Sequence, residues 1–455
     1  MRRSLLPLAV LLVLLAPAGA RAATWSAPQT VSAPHTFAGP LSLATAGDGS
    51  LIAAWPWQDD VGTDARGGAA AAARPPATSA FTAERAAPAG LIAVAPYATR
   101  QTLAVALRGL PGRSGPTGAT LQRLKVAFGS SSGGFGSART LVTAPVLGRP
   151  QLAAAGPRAL IAWIEVTRTS SGAVRRVVRA IERAHGRFGA PFTLSGRGRA
   201  DVLTAAIGAR GDELVAFVRG GDLLARVRRA GHGWGALQRL ARADGATRWQ
   251  LTSGVDQRGQ VRVVWRRHQL TREGVPGRTA LEATALLVGR SAFTTAQTLV
   301  TDGASAPALT QTSGGWAVAD VETTPDGPRP ALHRTQGGSA FGPVEYAAAA
   351  QSGARGASVA FSAVGGITVA WVQPVDGQDG DGIARAASLD PGLPAPAFGA
   401  VEDVSPAEAV HEVALGADPR AGQPVAVWTA RPGGTGPAVP IAPIRSVVRS
   451  AARLP

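Results

Sequence analysis

The chain has 455 residues, a formal net charge of +17 and no cysteine. The missing thiols exclude disulfides, thiolate metal sites and a lipid-anchor cysteine. So strong a positive charge ordinarily points to nucleic acid. Here 45 of the 46 basic residues are Arg, Lys125 is the one lysine, and they are scattered without a dense block; that reads as compositional bias, and nucleic acid is not the expected partner.

In chain order, Arg2 and Arg3 precede an apolar run over residues 5–15 and the small-x-small string Ala20-Arg21-Ala22. This predicts a signal peptide over 1–22 and a secreted mature chain, with a lone membrane anchor as the alternative. No later stretch is long and apolar enough to cross a bilayer. An aromatic opener then recurs at Trp25, Phe81, Phe135, Phe188, Trp234, Phe293, Phe341 and Phe398, at intervals of 46 to 59 residues. Each is followed 26 to 31 residues later by the end of an apolar run, at Trp55, Leu107, Trp163, Phe217, Trp265, Asp320, Trp371 and Trp428. Self-similarity at such a period marks a propeller, solenoid or array.

Within the third repeat, residues 151–155 are small and alternating, as suits a narrow central strand. Residues 159–166 are nearly all apolar, as in a strand buried on both faces. Residues 173–184 are half polar and Arg-rich, a third strand rather than a helix. Residues 188–194 alternate, an outer strand. Gly, Pro, Ser and Asp turns separate the four. The alanine run 69–73 and the segment 111–117 read as low-complexity insertions, loops or weak strands. The chain begins with an outer-type strand at 25–31 and ends on an inner strand at 411–416, a second at 424–428 and a third at 441–448, with a frayed tail beyond. The first residues would therefore complete the last blade, the ring closure of propellers. The expectation is an all-β, eight-bladed β-propeller over residues 23–455 as one domain. The alternatives are seven blades or tandem β-sandwiches.

The aromatic opener followed by a (V/I)-A-W strand, as in ITVAW ending at Trp371, resembles the repeats of sialidase-like β-propeller proteins exported by bacteria. The Asp-box of that family, Ser-x-Asp-x-Gly-x-x-Trp, is not present. The nearest strings end at Trp55 and Trp265, with the Trp too far along. The resemblance implies a glycan-related loop face with converging arginines for a carboxylate.

Arg149, Arg199, Arg248 and Arg355 stand at the entries to inner strands, where a guanidinium fork would match a carboxylate; solvated turn arginines are the alternative. Tyr97 and Tyr346 are the two tyrosines. The first follows an inner strand; the second lies on an outer strand, away from a central pocket, so a tyrosine nucleophile is not expected. Asp320 takes a position where five repeats carry Trp. It is either a buried carboxylate needing a partner or a loop residue after a register shift that turns Val318 inward. His411 and Glu412 form an acid–base pair or a satisfied structural one. The loop with Asp376, Asp379 and Asp381 has the oxygen density of a Ca²⁺ site without the EF-hand spacing, or is a solvated Asp-Gly turn; no other cofactor is expected. The reading is a secreted, monomeric, non-catalytic scaffold binding a glycan, an anionic ligand or a cell-surface protein. Its alternative is a glycan-active hydrolase or lyase using mouth carboxylates.

Overall fold

The computed structural model describes residues 25–452 apart from 36, 47, 60–65, 77, 79, 116–118, 197, 243–246, 271–276, 336–337, 352, 363–364, 375–381, 390–396, 407, 418–422 and 432–446. The expected leader and the loop carrying Asp376, Asp379 and Asp381 lie outside the described residues. Every regular element among those residues is a strand, and each repeat folds as an antiparallel set in sequence order. In the third repeat these are Val146–Ala155, Arg158–Arg168 and Val174–Ala184, edged by Arg187–Phe188 and Phe192–Thr193. The Arg-rich third strand is thus a strand, as its β-branched residues suggest. The openers lie at the outer rim: Phe135, Trp234, Phe341 and Phe398 bridge the far ends of third strands.

The inner strands neighbour one another in chain order, and the last, Ala409–Ala417, lies beside the first, Ser42–Thr45. Hydrogen bonds cross that seam from Thr45 Oγ1 to the Ala417 carbonyl (3.3 Å) and from the Leu41 N–H to Glu412 Oε2 (3.2 Å). The molecule is a closed β-propeller. Its centre is lined by small and apolar residues of the inner strands, including Ala95, Ala153, Ala206 and Gly254. Tandem sandwiches are therefore excluded.

The four-stranded blades fall into seven hydrogen-bonded sheets among the described residues, the lesser alternative of the sequence reading rather than eight separate ones. The cause lies in the last two repeats. A bulge between Val410 and Glu412 bends the final inner strand, and Val410 pairs with Gly382 of the preceding third strand. That contact joins two strand sets into one eight-stranded sheet.

Closure by the N-terminus is present and shorter than expected. Gln29 and Thr30 pair with Ser450 and Arg449. The Ser26 N–H reaches the Ala452 carbonyl (2.7 Å), and the Ala452 N–H reaches Ser26 Oγ (3.0 Å). The receiving strand is Val447–Ala452, so the C-terminal stretch taken as frayed is part of the last sheet. Two further expectations are corrected. The alanine run lies in the third strand Arg66–Arg74 and is buried, and residues 111–114 extend the second strand Gln101–Ser114. An all-alanine run shows no alternation, because both faces are covered and only small side chains fit the gap.

Two devices hold neighbouring sheets together. Trp55, Trp163, Trp265, Trp371 and Trp428 are fully buried in the middle of second strands, which run on for several residues past them. Each removes roughly 150–250 Å² from water, about 4–6 kcal/mol before conformational entropy is counted. Four of the indole N–H groups donate to Glu165 (3.3 Å), Glu282 (2.7 Å), Gln351 (3.1 Å) and Glu408 (2.7 Å). The second device is a glutamine four residues after an opener. The Gln29 amide donates to the Phe81 carbonyl and accepts from the Phe81 N–H. Gln297 does the same to Phe341, at 2.8 Å both ways. Gln238 accepts from the Phe293 N–H and donates to the Ser291 carbonyl. Each clamps its outer strand to the opener region of the next repeat.

Two outcomes follow for stability. Gln297→Leu should cost about 1–3 kcal/mol in urea unfolding by stranding the Phe341 backbone groups, whereas Gln122→Leu, which loses a bond to the Val146 carbonyl, should cost less. Removing residues 25–31, or ending the chain at 446, should lower the melting temperature and promote aggregation seen by light scattering, because a sheet edge is opened.

Candidate functional site

The entries to the inner strands form one rim of the ring. Several are bulged, with register shifts between Leu147 and Gln151, Ala200 and Leu203, Arg355 and Ser358, and Val410 and Glu412. Bulges re-aim side chains. Arg149 and His411 sit inside such shifts, Arg199 immediately before one, and Arg355 at the edge of one.

The structure does not gather the four arginines into one pocket. Arg149 donates to the Ile92 carbonyl of the neighbouring inner strand (2.9 Å). Arg199 is 69% exposed, with Asp201 3.9 Å from its Nε. Arg355 is half-buried, and its Nη2 has no hydrogen-bond partner. Arg248 is different: it pairs across the ladder with His268 and lines a cleft of about 660 Å³ between the fourth and fifth repeats.

That cleft is also lined by Asp201, Thr247, Trp249, Arg266 and His268. Arg266 is fixed by the Ala304 carbonyl (2.7 Å) and Gln250 Oε1 (2.9 Å), and burial lowers its pKa. His268 Nδ1 lies 2.8 Å from Thr279 Oγ1. Trp249 is buried, and its indole N–H has no partner. Asp201, the one carboxylate in this lining, is bonded to Arg176. The cleft thus offers three basic side chains in front of a buried indole. Polar groups converging on a concave surface are the usual form of a ligand site.

Asp320 is fully buried together with Val318, so the register shift that would have moved it to a loop does not occur. His333 Nε2 lies 3.5 Å from Asp320 Oδ1 and 3.1 Å from Glu322 Oε1. The Tyr346 hydroxyl donates to Glu322 Oε2 (2.9 Å), and the Arg329 guanidinium stacks 3.7 Å from the Tyr346 ring centre. Burial raises the Asp320 carboxyl, against the pull of His333. Burial lowers His333, but Asp320 and Glu322 outweigh it and leave it at about 9. Sequence reasoning found Asp320 and missed its partners. Their signals were the two-residue spacing of Asp320 and Glu322, which puts both on one strand face, and a histidine in the strand Gly327–Arg334. Tyr346 is on the outer strand as expected, yet it belongs to this cluster. Asp320 lines neither the cleft nor the central channel.

No protein-family model matches the chain, and no curated protein does. Among solved structures it is similar to a protein of unknown function from Dyadobacter fermentans DSM 18053, at 12% identity over 94% of this chain and 98% of that one, with a TM-score of 0.44. It is also similar to a Trypanosoma rangeli sialidase in complex with the inhibitor DANA, at 9% identity over 92% of this chain and a TM-score of 0.40; the chain spans 55% of that protein's length. A third is an ulvan lyase, at 10% identity over 72% of this chain and 87% of that one, with a TM-score of 0.43. None of these overlays is close enough to carry an activity across.

The candidate pair at the last inner strand gives a pH signature. Burial raises Glu412 above its ordinary 4.5, while the Leu41 N–H, His411 and Arg149 draw it down. The folded chain then binds this proton more tightly than the unfolded chain, so the group's contribution is fullest below about 4.5 and is lost as pH rises through the folded value. Glu412→Gln should flatten the stability profile across that window, measured by urea unfolding at successive pH values. A profile that keeps its slope in the variant would assign the dependence to other groups.

Proposed function

We propose that the protein is an exported β-propeller that binds an anion-bearing ligand, an acidic glycan first, in the cleft between the fourth and fifth repeats, without transforming it. The observation that carries this is the cleft lining: Arg248, Arg266 and His268 around a buried Trp249, with its one carboxylate already bonded to Arg176. A guanidinium pair suits a carboxylate or sulfate, and an indole beside it suits the apolar face of a sugar ring. Low-dielectric walls focus the positive field. The rival, a glycan hydrolase, requires a second carboxylate about 5–9.5 Å from the first; the cleft lining supplies Asp201 alone.

The finer reading of the ring as eight blades belongs to the same proposal. It divides the eight-stranded sheet at the pair Gly382–Val410 and leaves each repeat one blade. Secretion of a monomer after cleavage near Ala22 completes it.

Binding of sialylated and uronic-acid oligosaccharides, measured by calorimetry, should weaken as NaCl rises from about 50 to 300 mM. Arg248→Ala should weaken it roughly 10–150-fold, the equivalent of one charge-assisted hydrogen bond. Arg175→Ala and Arg187→Ala, on the third repeat, should leave it within about twofold. Equal losses in both sets would mean general positive charge rather than a site.

A further inference from the structure

We infer that Asp320, Glu322 and His333 form a binding site for one divalent transition-metal ion, Zn²⁺ in the first place, in the interior of the sixth repeat. Asp320, Glu322 and His333 offer one ligand atom each, and the three atoms lie within 4.8 Å of one another. The decisive observation is Asp320. Its side chain is 0% exposed, and neither oxygen has a hydrogen-bond partner. A carboxylate held only by a 3.5 Å contact to His333 is costly in such a place unless it is better paired or coordinates a metal.

The imidazole cannot meet both needs by hydrogen bonding. Nε2 carries at most one proton, and the shorter contact, 3.1 Å, is to Glu322; Asp320 is left at 3.5 Å. An ion at the centre serves all three atoms at once. Tetrahedral ligands about 2.0–2.1 Å from zinc lie about 3.3 Å from one another. The two measured separations bracket that value. One imidazole and two carboxylates suit Zn²⁺, with Mn²⁺ or Fe²⁺ next, whereas Ca²⁺ takes six to eight oxygens.

The surroundings are those of a built site. The Tyr346 hydroxyl engages Glu322 Oε2, which leaves Oε1 turned to His333. Outer partners of this kind orient a ligating carboxylate. Asp320 and Glu322 lie on the second strand and His333 on the third, so the ion would tie those strands together where five other repeats use a buried Trp. The ion is thus structural, captured as the chain folds.

The test uses the full mature chain without a histidine tag, unfolded with chelator and refolded with Zn²⁺, with Mn²⁺, or with chelator retained. The Zn²⁺ arm should hold one equivalent by mass spectrometry after dialysis and melt at a higher temperature than the chelator arm. Asp320→Asn and His333→Gln should hold none, and Tyr346→Phe should bind about 10-fold more weakly or worse. Should the ligand variants not fold, Co²⁺ refolded into the wild type decides: tetrahedral visible bands that Zn²⁺ displaces support the site. One equivalent of Mn²⁺ but not Zn²⁺ would overturn the choice of zinc. A wild type that refolds without bound metal and melts alike in all arms overturns the site itself and leaves a protonated His333 between two acids. Variants that keep one equivalent place the ion elsewhere and overturn it too.

Discussion

Neighbouring sheets in this ring touch almost wholly through side chains, so the fold depends on how each pair of faces is filled. A sheet in the middle of such a ring has no solvent face to spare. The fully buried tryptophans in the middle of second strands wedge into those interfaces, and their single polar atom has to be satisfied there. Glu165, Glu282, Gln351 and Glu408 do so in four repeats. The pairing explains why acids and amides persist in an otherwise apolar seam. Without cysteine, packing of this sort and the glutamine clamps replace covalent staples.

The sixth repeat shows what happens when the wedge is changed. Its indole, Trp316, stands at the start of the second strand rather than the middle, pressed so close to Gly254 of the fifth repeat that a Cβ there would come within 2.4 Å of the ring. The vacated middle carries Asp320, and a polar set of Glu322, His333, Tyr346 and Arg329 has grown around it. One repeat therefore holds its interior by ion pairs and a hydrogen bond where its neighbours use an aromatic ring.

Much of the architecture was legible because apolar runs with a fixed aromatic end can be read without knowing their partners. Four-strand sets, the inner position of small residues and the N-terminal seam all came from that. What escaped depended on backbone geometry. The bulge at His411 that merges two sets into one sheet has no signature in residue type. The buried alanine strand in Arg66–Arg74 could be read only as a low-complexity loop or a weak strand, because alanine carries no alternation. At the rim, Arg149, Arg199, Arg248 and Arg355 stand at comparable repeat positions, but local register decides that Arg149 braces the Ile92 carbonyl while Arg248 lines a cleft. The partners of Asp320 were hidden for the same reason: Tyr346 reaches Glu322 across the third strand, a neighbourhood set by sheet order.

The seam has a consequence for the order of events in the cell. Residues 29 and 30 find their partners at 449 and 450, at the far side of all the other strand sets in chain order. Every other set is completed by the opening residues of the next repeat as the chain emerges. The ring alone must wait until the strand Val447–Ala452 has been made, holding an open sheet edge until it arrives. Interrupted chains would therefore carry that edge permanently, a mark by which proteases and chaperones can tell unfinished molecules from finished ones.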